Sequence, residues 1–166
     1  RIEIYKNGKF SDIALIDAVI SKKMFIGSRA IWDLEDIIKV IVSRCHPASI
    51  GFSSLLGCRT IITEEDDFGA YADINCNNND DRTMAPIAAG VIKLFNVSQP
   101  EIINFDQEYF YEPTERGIIA LDGEREIPFK KEDKIVFKIV RKGPNRVNIK
   151  KAIEVAQRNG FFICKK

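Results

Sequence analysis

Residues 117–127, GIIALDGEREI, decide the fold. An apolar run, Ile118-Ile119-Ala120-Leu121, drives into Asp122-Gly123 and then into the charged trio Glu124-Arg125-Glu126. Asp-Gly between two strand-like segments is a strong hairpin signal, because Gly accepts positive φ without steric penalty. Lys6-Asn7-Gly8-Lys9 repeats the device after the alternating segment Ile2–Tyr5. Asn-Gly favours a type I′ turn. Eleven Phe and many Ile and Val also lean toward β structure.

Working outward, residues 10–21 read as one long apolar strand, and residues 24–31 as a further strand with a bulge or close approach at Gly27. Asp33 predicts a helix N-cap, with Glu35 and Asp36 in its first turn. Leu34, Ile37, Ile38, Ile41 and Val42 then fall on one helical face, ending before Pro47. Residues 50–62 form another apolar segment, interrupted by Ser53-Ser54 and Gly57. Acidic and Asn-rich loops flank a strand over 71–74. Further strands are expected at 91–97, 101–105, 118–121 and 134–140. A second helix starts near Asn148, with Ile149, Ala152, Ile153 and Ala156 on one face and a stop at Asn159-Gly160. Residues 161–163 close as a short strand or packed tail.

No βαβ rhythm is visible. The expectation is therefore a mainly β (α+β) fold: an antiparallel, sandwich-like domain over residues 1–166 with two packed helices.

The 166 residues carry 25 Lys+Arg against 24 Asp+Glu, a net charge of +1. That balance gives no drive toward nucleic acid or membrane. No apolar run approaches the ~20 residues of a membrane span. Cys45, Cys58, Cys76 and Cys164 show neither C-x-x-C nor zinc spacing, so free thiols in a reducing cytoplasm are expected. The chain opens on Arg1 and reads as a piece of a longer protein.

Few residues carry chemistry. Neither GxxxxGK[ST] nor GxGxxG is present. Asp67-Phe68-Gly69 spells a kinase tripeptide without the partners a protein kinase needs, and reads as loop. His46, the single histidine, suits the C-terminal end of the predicted first helix. Asp17, inside the apolar run Ala14–Ile20, either faces outward by alternation or is buried and partnered. Ser53, Ser54 and Gly57 mark either an ordinary strand end or a turn that brings backbone N–H groups to a ligand. Asp122, Glu124, Arg125 and Glu126 form either a solvated hairpin tip or a carboxylate cluster with an internal arginine pair.

The blocks DIALIDAVISKKMFIGSRAIWD, HPASIGFSSLLG, MAPIAAGVIK, GIIALDGEREI and GPNRVNIKKAIEVAQRNGFF occur in this order. Together they resemble the C-terminal domain of ATP-NAD kinase-like proteins of the AcoX (acetoin catabolism) type, within the NAD kinase and diacylglycerol kinase-like superfamily. The resemblance implies a sandwich-like domain supplying much of a dinucleotide pocket and the oligomer contacts. It also implies a separate α/β domain whose GGDGT motif carries the catalytic aspartate. No GGDGT occurs here, so this chain alone is expected to be inactive and to hold no catalytic residue. ALIDAVI resembles the family's ALNEVVI strand, which puts Asp17 where the family has a nucleotide-contacting Glu, and Ile16 where it has Asn. Ser53, Ser54 and Gly57 fall near its TPTGST loop, and Asp122-Gly123 near its DGQ turn. The implied substrate-binding set is Asp17, Ser53, Ser54, Gly57 and Asp122.

The implied reaction is γ-phosphoryl transfer from ATP to the 2′-hydroxyl of NAD, giving NADP, with Mg serving the whole enzyme. A cytoplasmic dimer or tetramer is implied. Two other readings are a lipid or diacylglycerol kinase-like domain with another acceptor, and a non-catalytic ligand-sensing or oligomerisation module.

Overall fold

The computed structural model describes residues 1–22, 34–75, 82–145 and 147–164. Its strands are β1 (Ile2–Lys6), β2 (Lys9–Ala14), β3 (Asp17–Ser21), β4 (Ile37–Val42), β5 (Phe68–Asp73), β6 (Arg82–Ala88), β7 (Val91–Asn96), β8 (Glu101–Asn104), β9 (Glu108–Tyr111), β10 (Gly117–Leu121), β11 (Arg125–Phe129) and β12 (Ile135–Ile139). The helices are α1 (Ser53–Gly57) and α2 (Ile149–Arg158). The four-stranded sheet has the order β2-β1-β12-β9, and the six-stranded sheet β11-β10-β3-β4-β5-β8. β6 and β7 form a separate hairpin. All strand pairs are antiparallel, in agreement with the mainly β expectation.

Two cores make three layers. Ile2, Ile4, Ile135, Phe137 and Ile139 of the four-stranded sheet meet Ala18, Ile20, Ile41, Ile119 and Leu121 of the six-stranded sheet. On the opposite face of the six-stranded sheet, Val19, Val40, Val42 and Ala72 meet Leu55 and Leu56 of α1 and Ala85 and Phe95 of the hairpin.

Both turn predictions hold. Asn7 and Gly8 have φ of 53° and 75°, and Asp122 and Gly123 have 50° and 72°. The Glu124 N–H closes the second turn on the Leu121 carbonyl at 2.9 Å. Positive φ at both central positions is the type I′ geometry, whose twist matches the strands it joins.

The first predicted helix is a strand. Leu34–Asp36 makes one 3-10 turn, and β4 follows with five β-branched residues and one lysine. β4 lies between β3 and β5 with apolar layers on both faces. A doubly covered strand is apolar at nearly every position, so its residues satisfy a helical template by default. The real first helix, α1, came from the segment read as a strand end, and all five of its residues are buried. Gly27 and the strand predicted over 24–31 lie outside the described residues. Strands β6 and β9 were not foreseen.

α2 begins as expected, with the Asn148 side chain accepting from the Lys151 N–H at 3.0 Å. Contrary to the expected packing, no residue of α2 is buried. Phe161, Phe162 and Ile163 are likewise exposed and form no strand.

The long strand read over 10–21 is broken at Leu15-Ile16. There the chain leaves the four-stranded sheet and enters the six-stranded one. The broken ladder finds new partners. Asp122 accepts from the N–H groups of Leu15 (2.7 Å), Ile16 (2.8 Å) and Asp17 (3.2 Å). The Asp122 N–H donates to the Asp17 carbonyl at 3.0 Å. Ser43 donates its N–H to the Ile16 carbonyl (2.9 Å) and its hydroxyl to the Leu15 carbonyl (2.6 Å).

Asp122→Ala strips the acceptor from three backbone donors, each costing about 1–3 kcal/mol when left bare and less where water reaches it. The expected loss is about 2–4 kcal/mol in urea unfolding, and Asp122→Asn retains part of the stability. A variant as stable as the parent would remove Asp122 from this role.

Candidate functional site

The corner between the sheets gathers three of the five predicted residues. Asp17 opens β3, Asp122 sits on the β10–β11 turn, and Ser53 opens α1. Val19 packs on the α1 side of the sheet, so period-two alternation turns Asp17 to the same side. The Asp17 carboxylate is largely buried there and accepts hydrogen bonds from both the N–H and the hydroxyl of Ser53. Of the two readings open for Asp17, the structure shows the buried and partnered one. Burial, and then the neighbouring Asp122 carboxylate, push its pKa up to about 6 against the opposing pull of the Ser53 bonds.

Asp122 is committed to the backbone, its oxygens holding the corner. The two open readings of its cluster resolve into neither alternative in pure form. Arg125 binds Asp12 at 2.6 Å and the Ile13 carbonyl at 2.8 Å, and stands 4.0 Å from Asp122. It therefore clamps the turn onto β2, while Glu124 and Glu126 are exposed.

Ser54 and Gly57 are spent on packing. The Ser54 hydroxyl donates to the carbonyls of Gly51 (2.6 Å) and Pro86 (2.9 Å), tying α1 to β6. A Cβ at Gly57 would overlap the backbone of His46. Glycine lets α1 close on the segment after β4. His46 ends no helix; its Nδ1 accepts from the Ala48 N–H at 3.0 Å. Asp67-Phe68-Gly69 leads into β5, and Asp67 pairs with Arg141.

On the other side of the corner lies a cleft of about 510 Å³. Leu15, Ile16, Ser43, Arg44, Phe105 and Arg141 are among the residues lining it. Arg44 reaches Glu64 at 3.4 Å, and Arg141 stacks over the Phe105 ring at 5.1 Å. Sequence reading missed this cleft because its residues come from five distant segments with no shared motif. Lys39 was also missed. It is buried on β4, pairs with Asp73 at 2.6 Å and lies 4.4 Å above the Tyr71 ring. A lone lysine inside IIKVIV is the only signal the sequence offered.

No group of three or more His, Cys, Asp or Glu side chains converges among the described residues, so these do not fit a divalent-metal site. Cys45, Cys58 and Cys164 are free thiols, and burial raises Cys45 to about 11. Among the described residues no helix is long and apolar enough to cross a membrane.

Comparison with known proteins agrees with the sequence blocks. The acetoin catabolism protein X C-terminal domain family matches residues 1–142. Acetoin catabolism protein X of Cupriavidus necator is 34% identical over 131 residues, which cover 78% of this chain and 36% of that protein. This chain therefore spans well under half the length of that relative. No solved structure matches.

The Asp17 shift has a defined sign. Its folded pKa of about 6 lies above the unfolded value near 3.9, so the fold favours the neutral carboxyl. That contribution is complete below about pH 4 and is lost as pH rises through about 6. A shift of about two units corresponds to about 3 kcal/mol. Relative to Asp17→Asn, the parent is expected to lose stability of that order between about pH 4 and pH 7.5 in urea unfolding. Parallel pH profiles for the two proteins would show that Asp17 stays solvated.

Proposed function

The chain belongs to the acetoin catabolism protein X C-terminal domain family, and from that membership we propose that it is the acceptor-binding part of an NAD kinase-like phosphotransferase. In this reading NAD is the acceptor and ATP, with Mg, the donor. The catalytic aspartate belongs to an α/β domain that carries the GGDGT motif absent from these 166 residues. The whole enzyme is read as a cytoplasmic homo-oligomer.

The observation that carries this reading is the Asp17 carboxylate, buried beside a second carboxylate and oriented by both donors of Ser53. Burying an acid at a sheet corner costs stability, and a ligand with hydroxyl donors offsets that cost. Ribose presents two adjacent hydroxyls. An ionised Asp17 accepts from them and fixes the sugar's orientation, which is the main contribution an acceptor domain makes to phosphoryl transfer. Ser53 keeps the carboxylate in one rotamer. Asp122 raises the proton affinity of the empty site, so ligand donors and ionisation of Asp17 are coupled. Ile16, standing where the resembled family has an amide, gives the adjoining cleft an apolar wall and favours a flat ring over a polar group. The chemistry at the hydroxyl itself falls to the other domain.

The test uses the longer protein with ATP, Mg and NAD. NADP formation is expected from it and none from the present chain alone. Asp17→Ala removes a charge-assisted hydrogen bond of about 1.5–3 kcal/mol, so NAD binding is expected to weaken about 10- to 100-fold. NAD affinity of the parent is expected to rise with pH through about 6, and this rise disappears in Asp17→Asn. NADP made by the chain alone, or unchanged NAD affinity in Asp17→Ala, would overturn the reading.

A further inference from the structure

The outer face of the four-stranded sheet carries a pattern fixed by strand register. Phe10 pairs with Tyr5, Tyr5 with Val136, and Val136 with Phe110. These side chains form one row across β2, β1, β12 and β9. The inner positions are taken by Ile4, Ile135 and Phe137, so period-two alternation turns this row outward. Phe10 is 57% and Phe110 64% exposed, and Tyr5 meets Phe10 edge to face at 5.8 Å. A groove of about 580 Å³ runs between Tyr5, Val136 and Phe110. The adjacent row on the same face is Ile13, Glu3, Lys138 and Glu108.

An antiparallel sheet with one solvated face ordinarily shows polar residues there. Here an apolar row runs from one edge strand to the other beside a charged row. Both rows are self-complementary under one operation. A two-fold axis parallel to the strands, in the plane of contact, lays β2 over β9 of a second copy and β1 over β12. Each row then falls on itself reversed. Phe10 meets Phe110, Tyr5 meets Val136, and Glu3 meets Lys138, each contact occurring twice. We propose that this face is a self-association surface on which a second copy of the chain seats about that axis.

The dimensions agree. Four strands about 4.8 Å apart and about five residues long give a footprint of roughly 19 by 17 Å. With the side-chain relief of both copies counted, that reaches about the low end, ~1,200 Å², of specific interfaces. Two sheets packed in this way stand about 10 Å apart at about −30°, which suits rings and branched chains as the filling. Glu3 already accepts from Arg1 (2.7 Å) and Tyr5 (2.8 Å), which holds its carboxylate in place on the face. The proposal is independent of the NAD reading, since none of these residues belongs to the corner of Asp17.

The test is sedimentation velocity on the 166-residue chain over a concentration series, with Glu3→Lys, Lys138→Glu, their equimolar mixture, and Phe110→Glu. The parent is expected to dimerise. Each single charge variant sets like charges opposite each other twice and is expected to weaken the dimer at least about 10-fold. The mixture restores both opposite-charge contacts, so heterodimer is expected to recover. Phe110→Glu, at an exposed position, is expected to give a folded monomer and guards against Glu3→Lys failing to fold. A parent that stays monomeric overturns the proposal, as does a dimer indifferent to all the variants, or a mixture that fails to recover. Monomers throughout, with melting temperature lowered by Phe110→Glu, would mean that the chain's own α2 covers the face, and would overturn it equally.

Discussion

Everything in this domain hangs on the corner at Leu15-Ile16, where one strand direction serves two sheets. A chain that changes sheets must interrupt its ladder, and the interrupted N–H and C=O groups need other partners. One carboxylate, Asp122, and one serine, Ser43, satisfy them. The angle between the sheets, the position of the Asp122-Gly123 turn and the orientation of Asp17 are thus set together. Asp17 can be a buried acid because its backbone N–H and C=O are both held by Asp122, leaving its side chain to Ser53.

That division of labour separates two acids that sequence reading had grouped. Asp122 resembles a ligand-contacting residue in its motif, yet its oxygens are occupied by three donors of the chain itself. Asp17, embedded in an apolar run, is the one whose titration the fold has moved. Ser54 and Gly57 likewise turn out to be packing devices beside one residue, Ser53, that reaches the site.

Much of the fold was legible. Asn7-Gly8 and Asp122-Gly123 announced their turns, because positive φ at two successive positions narrows the choice of residues. Asn148 and Gly160 bounded α2 for similarly local reasons. What stayed hidden was tertiary. Ile37–Val42 is apolar because both of its faces are covered, and a one-dimensional pattern cannot tell that from an amphipathic helix. The break after Ala14 left no mark in the sequence, since the residue that compensates it lies more than a hundred positions away. The five residues of α1 offered too short a period to read, and SSLLG became helical under cover of the β6–β7 hairpin. At the site, Asp17 was visible as an anomaly, but its burial depended on Ser53 arriving from another element.

The pairing of β1 with β12 joins Ile2 to Ile139. During synthesis, the first hairpin emerges with Ile2 and Ile4 exposed and must wait for nearly the whole domain before β12 arrives. The six-stranded sheet has no such delay at its centre, since β3, β4 and β5 are successive partners. Long-range closure of this kind slows folding and leaves an apolar hairpin uncovered in the interval. The order of assembly therefore runs outward from the middle sheet, and the first residues made are among the last to be buried.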